Sequence, residues 1–169
     1  MDNIKVLIEE EKIQEKVREI AKKIENDYEG EITLICILKG STFFTVDLAK
    51  RINKKVKLEF IQVSSYGSST TSSDITLKLD LKESIEGKDV IIVEDIIDTG
   101  RTLSYLIEHL KGRNPKSLRL CTLLDKPERR LYDVNVDYIG FEIPDKFVVG
   151  YGLDYNEMYR NLPYIGYIE

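Results

Sequence analysis

Residues 90–103 read Val-Ile-Ile-Val-Glu-Asp-Ile-Ile-Asp-Thr-Gly-Arg-Thr-Leu, and this stretch decides how we interpret the rest of the chain. Four apolar residues are typical of a buried strand, and they end at paired carboxylates, Glu94 and Asp95. A third carboxylate, Asp98, precedes a short loop that opens a helix. Open α/β sheets bind ligands at the carboxyl ends of their strands, so we expect these acids to line a ligand site.

The loop after Asp98 has the composition of an anion site: Thr99, Gly100, Arg101 and Thr102. Glycine allows the backbone to approach a ligand closely, and the two threonines offer hydroxyl groups. The first amides of the following helix lack intrahelical acceptors and are directed at an anion. Acids suit ribose hydroxyls and a metal, whereas amides suit phosphate. The stretch therefore predicts a site for a phosphorylated sugar.

The remaining sequence alternates helical and strand patterns. Helices are predicted at 9–28, 41–52 and from about 103 to Gly112, and strands at 32–38, 56–63, 75–81, 90–93, 117–124, 136–141 and 147–151. This alternation predicts an α/β fold with a mostly parallel, doubly wound sheet flanked by helices. We expect residues 1–169 to form a single domain, since the chain is too short for two.

Composition and net charge limit the classes of partner that we expect this protein to bind. The net charge of −5 argues against a general nucleic-acid surface, which needs clustered Lys and Arg. No apolar stretch approaches the roughly 20 residues of a membrane span, and no secretory signal is visible. Cys36 and Cys121 lie in apolar runs without metal or disulfide spacing, and the single histidine, His109, suits the end of its helix. We expect a cytoplasmic protein that binds neither membrane nor nucleic acid.

Residues 90–102 closely resemble the phosphoribosyl-pyrophosphate signature of the type I phosphoribosyltransferases: four apolar residues, two acids, two apolar residues, then Asp-Thr-Gly-x-Thr. Three further stretches are similar to hypoxanthine-guanine phosphoribosyltransferases in the same order: Leu-Lys-Gly at 38–40, Leu-Leu-Asp-Lys-Pro at 123–127, and residues 141–160. The resemblance implies the fold of that family, in which the terminal segments form a small hood.

The same resemblance implies a purine-salvage enzyme. It would use Mg²⁺ to transfer ribosyl phosphate from phosphoribosyl pyrophosphate to N9 of hypoxanthine or guanine, giving IMP or GMP and pyrophosphate. Asp98 is the implied catalytic acceptor of a purine proton, and Glu94, Asp95 and Asp154 are the implied metal ligands. The implied contacts of the phosphoribosyl group are Glu94, Asp95, Asp98, Thr99, Gly100, Arg101 and Thr102.

Pyrophosphate is assigned by resemblance to Lys39, Gly40 and Arg160, and in this family the peptide bond before the lysine can be cis without a proline. The purine is assigned to Lys126, Phe147, Val148 and Asp154. The lysine would donate to the 6-oxygen and the phenylalanine would stack on the base. The backbone of Val148 would read the Watson–Crick edge, and Asp154 would lie near the exocyclic amine position.

Residues 64–74 are rich in serine and poor in apolar side chains, which is typical of a long loop. We interpret this segment as a lid that closes over the reacting sugar and keeps water out. By resemblance, Ser65 and Tyr66 lie on the part of the loop that folds over the site.

Three alternatives remain beside this interpretation. RNA-binding regulators of pyrimidine operons share the fold but generally lack the acid at the position of Asp98, and this chain has no evident basic stripe. A xanthine-preferring or orotate-specific transferase is the nearer alternative among enzymes, and a nucleotide-binding module would not need Asp98. The sequence does not rank hypoxanthine, guanine and xanthine, nor does it distinguish a homodimer from a homotetramer.

Overall fold

The computed structural model describes residues 3–65 and 75–169, apart from the side chain of Ser65. Residues 66–74 of the predicted lid, Tyr66 among them, therefore lie outside the described residues. Ser64 and Ser65 were wrongly counted with the lid, because both belong to a strand that pairs with residues 75 and 76. The elements are β1 (Ile4–Ile8), α1 (Glu10–Asp27), β2 (Ile32–Leu38), α2 (Thr42–Arg51), β3 (Val56–Ser65), β4 (Ile75–Leu79), β5 (Asp89–Ile97), α3 (Arg101–Lys111), β6 (Ser117–Asp125), a 3-10 turn (Pro127–Arg129), β7 (Tyr138–Glu142), β8 (Val148–Val149) and β9 (Ile165–Ile168).

A six-stranded sheet with the order β4-β3-β2-β5-β6-β7 forms the centre of the molecule. Its strands are parallel except for β4, which runs antiparallel to β3 at one edge. The chain proceeds outward from β2 to β3 and β4, then returns to place β5 on the other side of β2. The carboxyl ends of β2 and β5 therefore flank a topological switch point. The predicted α/β fold with a mostly parallel sheet is confirmed.

The sheet is covered by hydrophobic clusters on both faces. One cluster joins the buried stripe of α1 and α2 to Ile91 and Val93 of β5. The other joins Leu106 and its neighbours on α3 to Ile92 and Leu120. Successive side chains of a strand point to opposite faces, so β5 serves both clusters and reads as a continuous apolar run.

A second, three-stranded antiparallel sheet has the order β1-β9-β8 and is built mainly from the terminal segments. It is the hood that the family resemblance implied. The predicted strand at 147–151 was wrongly counted with the strands of the main sheet. Only Val148–Val149 is strand, and it pairs with β9. Left-handed backbone at Gly150 (φ 97°) and Tyr151 (φ 49°) ends it and turns the chain toward the site.

Strand β5 is longer than its four-residue apolar core predicted. It extends to Ile97 because Ile96 and Ile97 continue the parallel register with Leu124 and Asp125 of β6. Glu94 and Asp95 consequently lie inside a hydrogen-bonded strand.

Among the described residues, no helix is long and apolar enough to cross a membrane.

The two cysteines lie in the core. Cys36 and Cys121 are both free and buried. Burial raises the pKa of the Cys121 thiol, so this side chain behaves as a small hydrophobe in the core.

Candidate functional site

The two acids of β5 lie where the central strands separate. The last register pair between β2 and β5 is Cys36 with Val93, and Glu94 and Asp95 come directly after it. On the other side, β5 stays paired with β6 as far as Asp125. The crevice beyond β2 is therefore lined by carboxylates on one side and by the turn that follows β2 on the other.

The turn after β2 packs directly on Asp95. A Cβ atom at Gly40 would overlap the carboxylate of Asp95, and one at Gly152 would overlap the carbonyl oxygen of Gly40. Only glycine fits these approaches, so three segments distant in sequence meet here. The Leu38–Lys39 peptide bond is cis, as the family resemblance allowed.

Glu94 and Asp95 are two adjacent acids in a poorly solvated place. Burial raises the pKa of both carboxyl groups, and the neighbouring Asp95 raises the pKa of Glu94 further. The amide of Asp95 donates to Glu94 Oε1 at 2.9 Å, and the amide of Ile96 donates to Asp95 Oδ1 at 2.7 Å. Both carboxylates would be stabilised in their charged form by a bound cation or by hydroxyl donors.

The loop between β5 and α3 forms a small cavity of about 180 Å³, lined by Glu94 and by residues 96–103. Gly100 adopts a left-handed conformation (φ 86°) immediately before the helix. It has no side chain to cap α3, and the Arg101 amide donates to Thr99 Oγ1 at 3.3 Å. The first turn of α3 thus faces the cavity with its amide groups, which suits an anion.

The segment after β6 holds this loop in place from the outside. The amides of Leu131 and Tyr132 both donate to the Thr99 carbonyl, at 2.9 and 3.0 Å. Arg130 donates through Nε to the Asp98 carbonyl at 3.4 Å and forms an ion pair with Asp125. The cavity is therefore held in shape by two segments, the loop between β5 and α3 and the segment that follows β6.

Asp98 and Lys126, predicted to act on the same ligand, are both engaged in ion pairs. Arg129 Nε lies 2.8 Å from Asp98 Oδ1, and its Nη1 lies 3.5 Å from Asp145 Oδ2. Lys126 Nζ lies 3.4 Å from Asp145 Oδ1, and Lys126 is 8% exposed. Sequence reasoning missed Arg129 and Asp145, although each lies within three residues of a predicted site residue.

An aromatic pair forms the outer part of the site. Phe147 is 55% exposed, and its ring meets that of Tyr155 edge-on with centroids 5.7 Å apart. An exposed aromatic face offers a stacking surface for a planar ligand. Val148 is buried in β8, so only its backbone remains for recognition. Several bulky residues in the following segment adopt positive φ, among them Glu157 and Tyr159, which is typical of binding loops.

The predicted pyrophosphate residues are connected through one acid. Lys39 Nζ lies 2.8 Å from Glu157 Oε2, and Arg160 Nη2 lies 3.0 Å from Glu157 Oε1. Arg160 also donates to the Gly152 carbonyl at 2.6 Å and lies 3.4 Å from Asp154 Oδ1. The ion pair with Lys39, followed by that with Arg160, lowers the pKa of Glu157. Sequence reasoning quoted Glu157 inside a motif but gave it no role.

Many of the predicted residues lie at or just after the carboxyl ends of β2, β5 and β6, whereas Val148 lies in the second sheet. Tyr66 lies outside the described residues, and Ser65 marks the end of β3. Within residues 3–65 and 75–169, no group of three or more His, Cys, Asp or Glu side chains is close enough to hold a metal ion. Asp154 pairs with Arg160 and is not joined to Glu94 and Asp95 in a ligand cluster. The pair of β5 alone fits Mg²⁺, which usually takes one or two carboxylates and completes its shell with substrate oxygens and water.

Comparison with known proteins shows the family to which the chain belongs. Residues 6–156 match the phosphoribosyl transferase domain family, and the chain therefore belongs to that family. The hypoxanthine-guanine phosphoribosyltransferase of Bacillus subtilis is 52% identical over 167 residues, covering 98% of this chain and 93% of that protein. A crystal structure of a hypoxanthine-guanine phosphoribosyltransferase from Bacillus anthracis has a TM-score of 0.95 and 52% identity, covering 99% of this chain and 100% of that one.

A longer relative shares the same similarity. The bifunctional protein TilS/HprT of Listeria monocytogenes is 52% identical over 167 residues, which are 98% of this chain and 26% of that protein. The chain thus spans about a quarter of the length of this relative.

We predict that Glu94→Gln stabilises the protein at neutral pH. Because the folded-state pKa of Glu94 is raised by burial, this group favours folding below its unfolded pKa and loses that contribution as pH rises through the folded pKa. The neutral glutamine avoids the loss. Urea denaturation should therefore give the variant a higher free energy of unfolding than the wild type at pH 7, and this difference should shrink as the pH falls and vanish below about pH 4.

Glu86→Gln is the matched control, since Glu86 is exposed, and its stability should follow the wild type at both pH values. A Glu94→Gln variant that is less stable than wild type at pH 7 would show that the carboxylate is well accommodated without a cation.

Proposed function

We propose that this protein is a purine-salvage phosphoribosyltransferase that makes IMP or GMP from phosphoribosyl pyrophosphate and hypoxanthine or guanine, releasing pyrophosphate. The observation that carries the proposal is the meeting of three strand ends. A cavity at the start of α3, a partly buried acid pair and the cations Lys39 and Arg160 lie around the edge where β2 and β5 separate. The similarity to proteins named hypoxanthine-guanine phosphoribosyltransferases supports this activity.

The sugar phosphate is proposed to bind along β5 and the start of α3. The amides of residues 99–102 and the hydroxyls of Thr99 and Thr102 would hold the 5′-phosphate in the 180 Å³ cavity. Glu94 and Asp95 would accept hydrogen bonds from the two ribose hydroxyls. Their raised pKa values, caused by burial, support this role, because hydroxyl donors would compensate charge that the protein leaves poorly solvated.

The purine is proposed to lie between β6 and the hood. Lys126 would donate to the 6-oxygen, Phe147 would stack on the ring, and the backbone of Val148 would read the Watson–Crick edge. The exposure of Phe147 and the burial of Val148 fit these roles. Asp98 would accept a proton from the purine as N9 attacks the anomeric carbon.

Pyrophosphate is proposed to leave toward Lys39, Gly40 and Arg160. The two cations are at present balanced by Glu157, so an entering anion would replace one acid by another. Mg²⁺ held by Glu94 and Asp95 would supply charge neutralisation of the departing pyrophosphate. Asp154 is proposed to assist near the metal and the exocyclic amine position, which requires its release from Arg160.

Activity on a panel of bases tests the proposal. Hypoxanthine, guanine, xanthine and adenine are each incubated with phosphoribosyl pyrophosphate and Mg²⁺, and nucleotide is quantified. We expect efficient product from hypoxanthine or guanine and little from adenine, with loss of activity when Mg²⁺ is chelated. Preferred use of xanthine would favour the alternative transferase, and absence of product with every base would reject the activity.

We also propose that the chain is one cytoplasmic catalytic domain that assembles into a homodimer or homotetramer. Exposed large apolar side chains support the assembly: Val46 on α2 and Leu58 and Phe60 on β3. Leu58 is the register partner of Leu34, so it points to the side of the sheet that α2 occupies. Such a surface usually marks a contact with another protein, and homo-oligomers are the commonest case.

We predict that Val46→Glu shifts the protein toward the monomer in sedimentation experiments, because a charge would be placed in an apolar contact. Leu131→Glu, at a residue that is 79% exposed, is the control and should leave the mass unchanged. A wild type that sediments as a monomer at all concentrations would remove the assembly proposal.

We predict that Asp98→Asn keeps the fold and the binding of nucleotide but lowers kcat by about 10²–10⁴. The amide has nearly the same shape but cannot take the purine proton. Steady-state kinetics with hypoxanthine gives kcat, and calorimetric titration with IMP gives the affinity. Near-normal turnover of the variant would remove Asp98 from the mechanism.

We predict that Lys126→Ala weakens catalysis with hypoxanthine and guanine but not with adenine. An ammonium group donates and cannot accept, so it favours a 6-oxygen over a 6-amino group. Comparing kcat/KM for the three bases in the wild type and the variant measures the effect. Equal losses for all three would assign Lys126 to structure alone.

A further inference from the structure

Four charged side chains form a series of ion pairs that links Lys126 to Asp98, both of which are proposed above to contact the purine. Lys126 Nζ pairs with Asp145 Oδ1 at 3.4 Å, Asp145 Oδ2 pairs with Arg129 Nη1 at 3.5 Å, and Arg129 Nε pairs with Asp98 Oδ1 at 2.8 Å. We propose that Arg129 is a positioning residue that aligns Asp98 and, through Asp145, Lys126 for the same edge of the base. This inference rests on the proposed function.

The chemistry of the base explains why these two groups need to be aligned with each other. In a 6-oxopurine, O6 and N7 are neighbours on a single edge of the ring system. When N7 carries the proton, this edge presents one acceptor beside one donor. A complementary site offers one donor beside one acceptor. Lys126 supplies the donor and Asp98 supplies the acceptor, at the two ends of the ion-pair series.

The ion pairs leave Asp98 and Lys126 able to bind the base. Arg129 engages Oδ1 of Asp98, and a carboxylate has a second oxygen, Oδ2, for a ligand donor. Lys126 has three ammonium hydrogens and directs one toward Asp145. Arg129 can therefore remain in place while Asp98 and Lys126 contact the base, so it acts as a support and not as a competitor.

Arginine suits this position because its donors diverge in a rigid plane. Nε faces one carboxylate and Nη1 faces the other, and a lysine could not span both with a fixed geometry. The backbone adds a constraint, since the amide of Arg129 donates to the carbonyl of Lys126 at 3.1 Å. The turn Pro127–Arg129 thus fixes the spacing between the residue that holds Asp98 and the lysine itself.

A merely structural role is the competing explanation, and exposure argues against it. The side chains of Arg129 and Asp98 are each 46% exposed, and surface ion pairs contribute little to stability. If Arg129 matters, its effect should therefore appear in the kinetics for the base and not in the unfolding temperature.

The test uses Arg129→Gln, Arg129→Lys and Arg129→Ala with steady-state kinetics for both substrates. We expect Arg129→Gln to lower kcat about tenfold and to raise KM for hypoxanthine, because small misplacements of reacting groups are costly. KM for phosphoribosyl pyrophosphate should stay within about twofold of wild type. Arg129→Lys should recover only part of kcat, and added guanidinium ion should partly restore Arg129→Ala, which a purely structural defect would not show.

Arg113→Gln is the matched control, because Arg113 forms a comparable exposed ion pair with Asp80 away from the site. It should leave kcat and both KM values unchanged. Wild-type kinetics of Arg129→Gln, or losses that accompany a lowered unfolding temperature and resist guanidinium rescue, would overturn the inference while the activity stands. If Arg129→Gln fails to fold, the same criteria apply to Arg129→Lys. A wild-type protein that forms no nucleotide would overturn both proposals.

Discussion

Placing Glu94 and Asp95 side by side in a partly buried position opposes folding at neutral pH, because neither carboxylate is well solvated and their charges repel. The rest of the fold tolerates this placement. Hydrophobic clusters cover both faces of β5 before the acids and continue at Ile97 after them, and β6 remains paired with β5 beyond the acids. Stability supplied by the core offsets the cost of placing two acids together, which is the usual compromise of functional sites.

The remaining parts of the site follow from that placement. Because β2 leaves β5 after Cys36, the turn at Gly40 can pack on Asp95 without room for a side chain. The positive φ values of Gly150 and Gly152 bring the hood segment to the same point. Opposite charges then pair across the crevice, where Lys39 meets Glu157, while Arg160 is held between Asp154 and Glu157 on its own segment. In the described residues, Lys39 and Arg160 are therefore neutralised by Asp154 and Glu157, and the proposed pyrophosphate would take the place of an acid there.

Much of this arrangement could be predicted from the sequence because its signals are local. The apolar run ending in acids predicted the central strand, and helical spacing predicted α1 to within one residue at each end. What failed depended on distant contacts. The length of β5 is set by its register with β6, and the placement of β8 in the hood is set by pairing with β9.

Three residues with clear roles in the charge pattern escaped sequence reasoning for the same reason. Arg129, Asp145 and Glu157 are ordinary surface types in the sequence, and only the fold shows that they connect Asp98, Lys126, Lys39 and Arg160. A charged residue gives no local signal of its partner in the sequence. The nearness of these three residues to recognised motifs was a signal that they could belong to the site.

A crystal structure with IMP and Mg²⁺ pyrophosphate tests the central claim most directly, namely that one edge of the sheet binds the phosphoribosyl group and the base together. We predict that the 5′-phosphate accepts hydrogen bonds from the amides of residues 99–102 and that the 6-oxygen accepts one from Lys126 Nζ. The ribose hydroxyls should meet Glu94 and Asp95. A phosphate bound away from the start of α3, or a base that does not reach Lys126, would contradict the account.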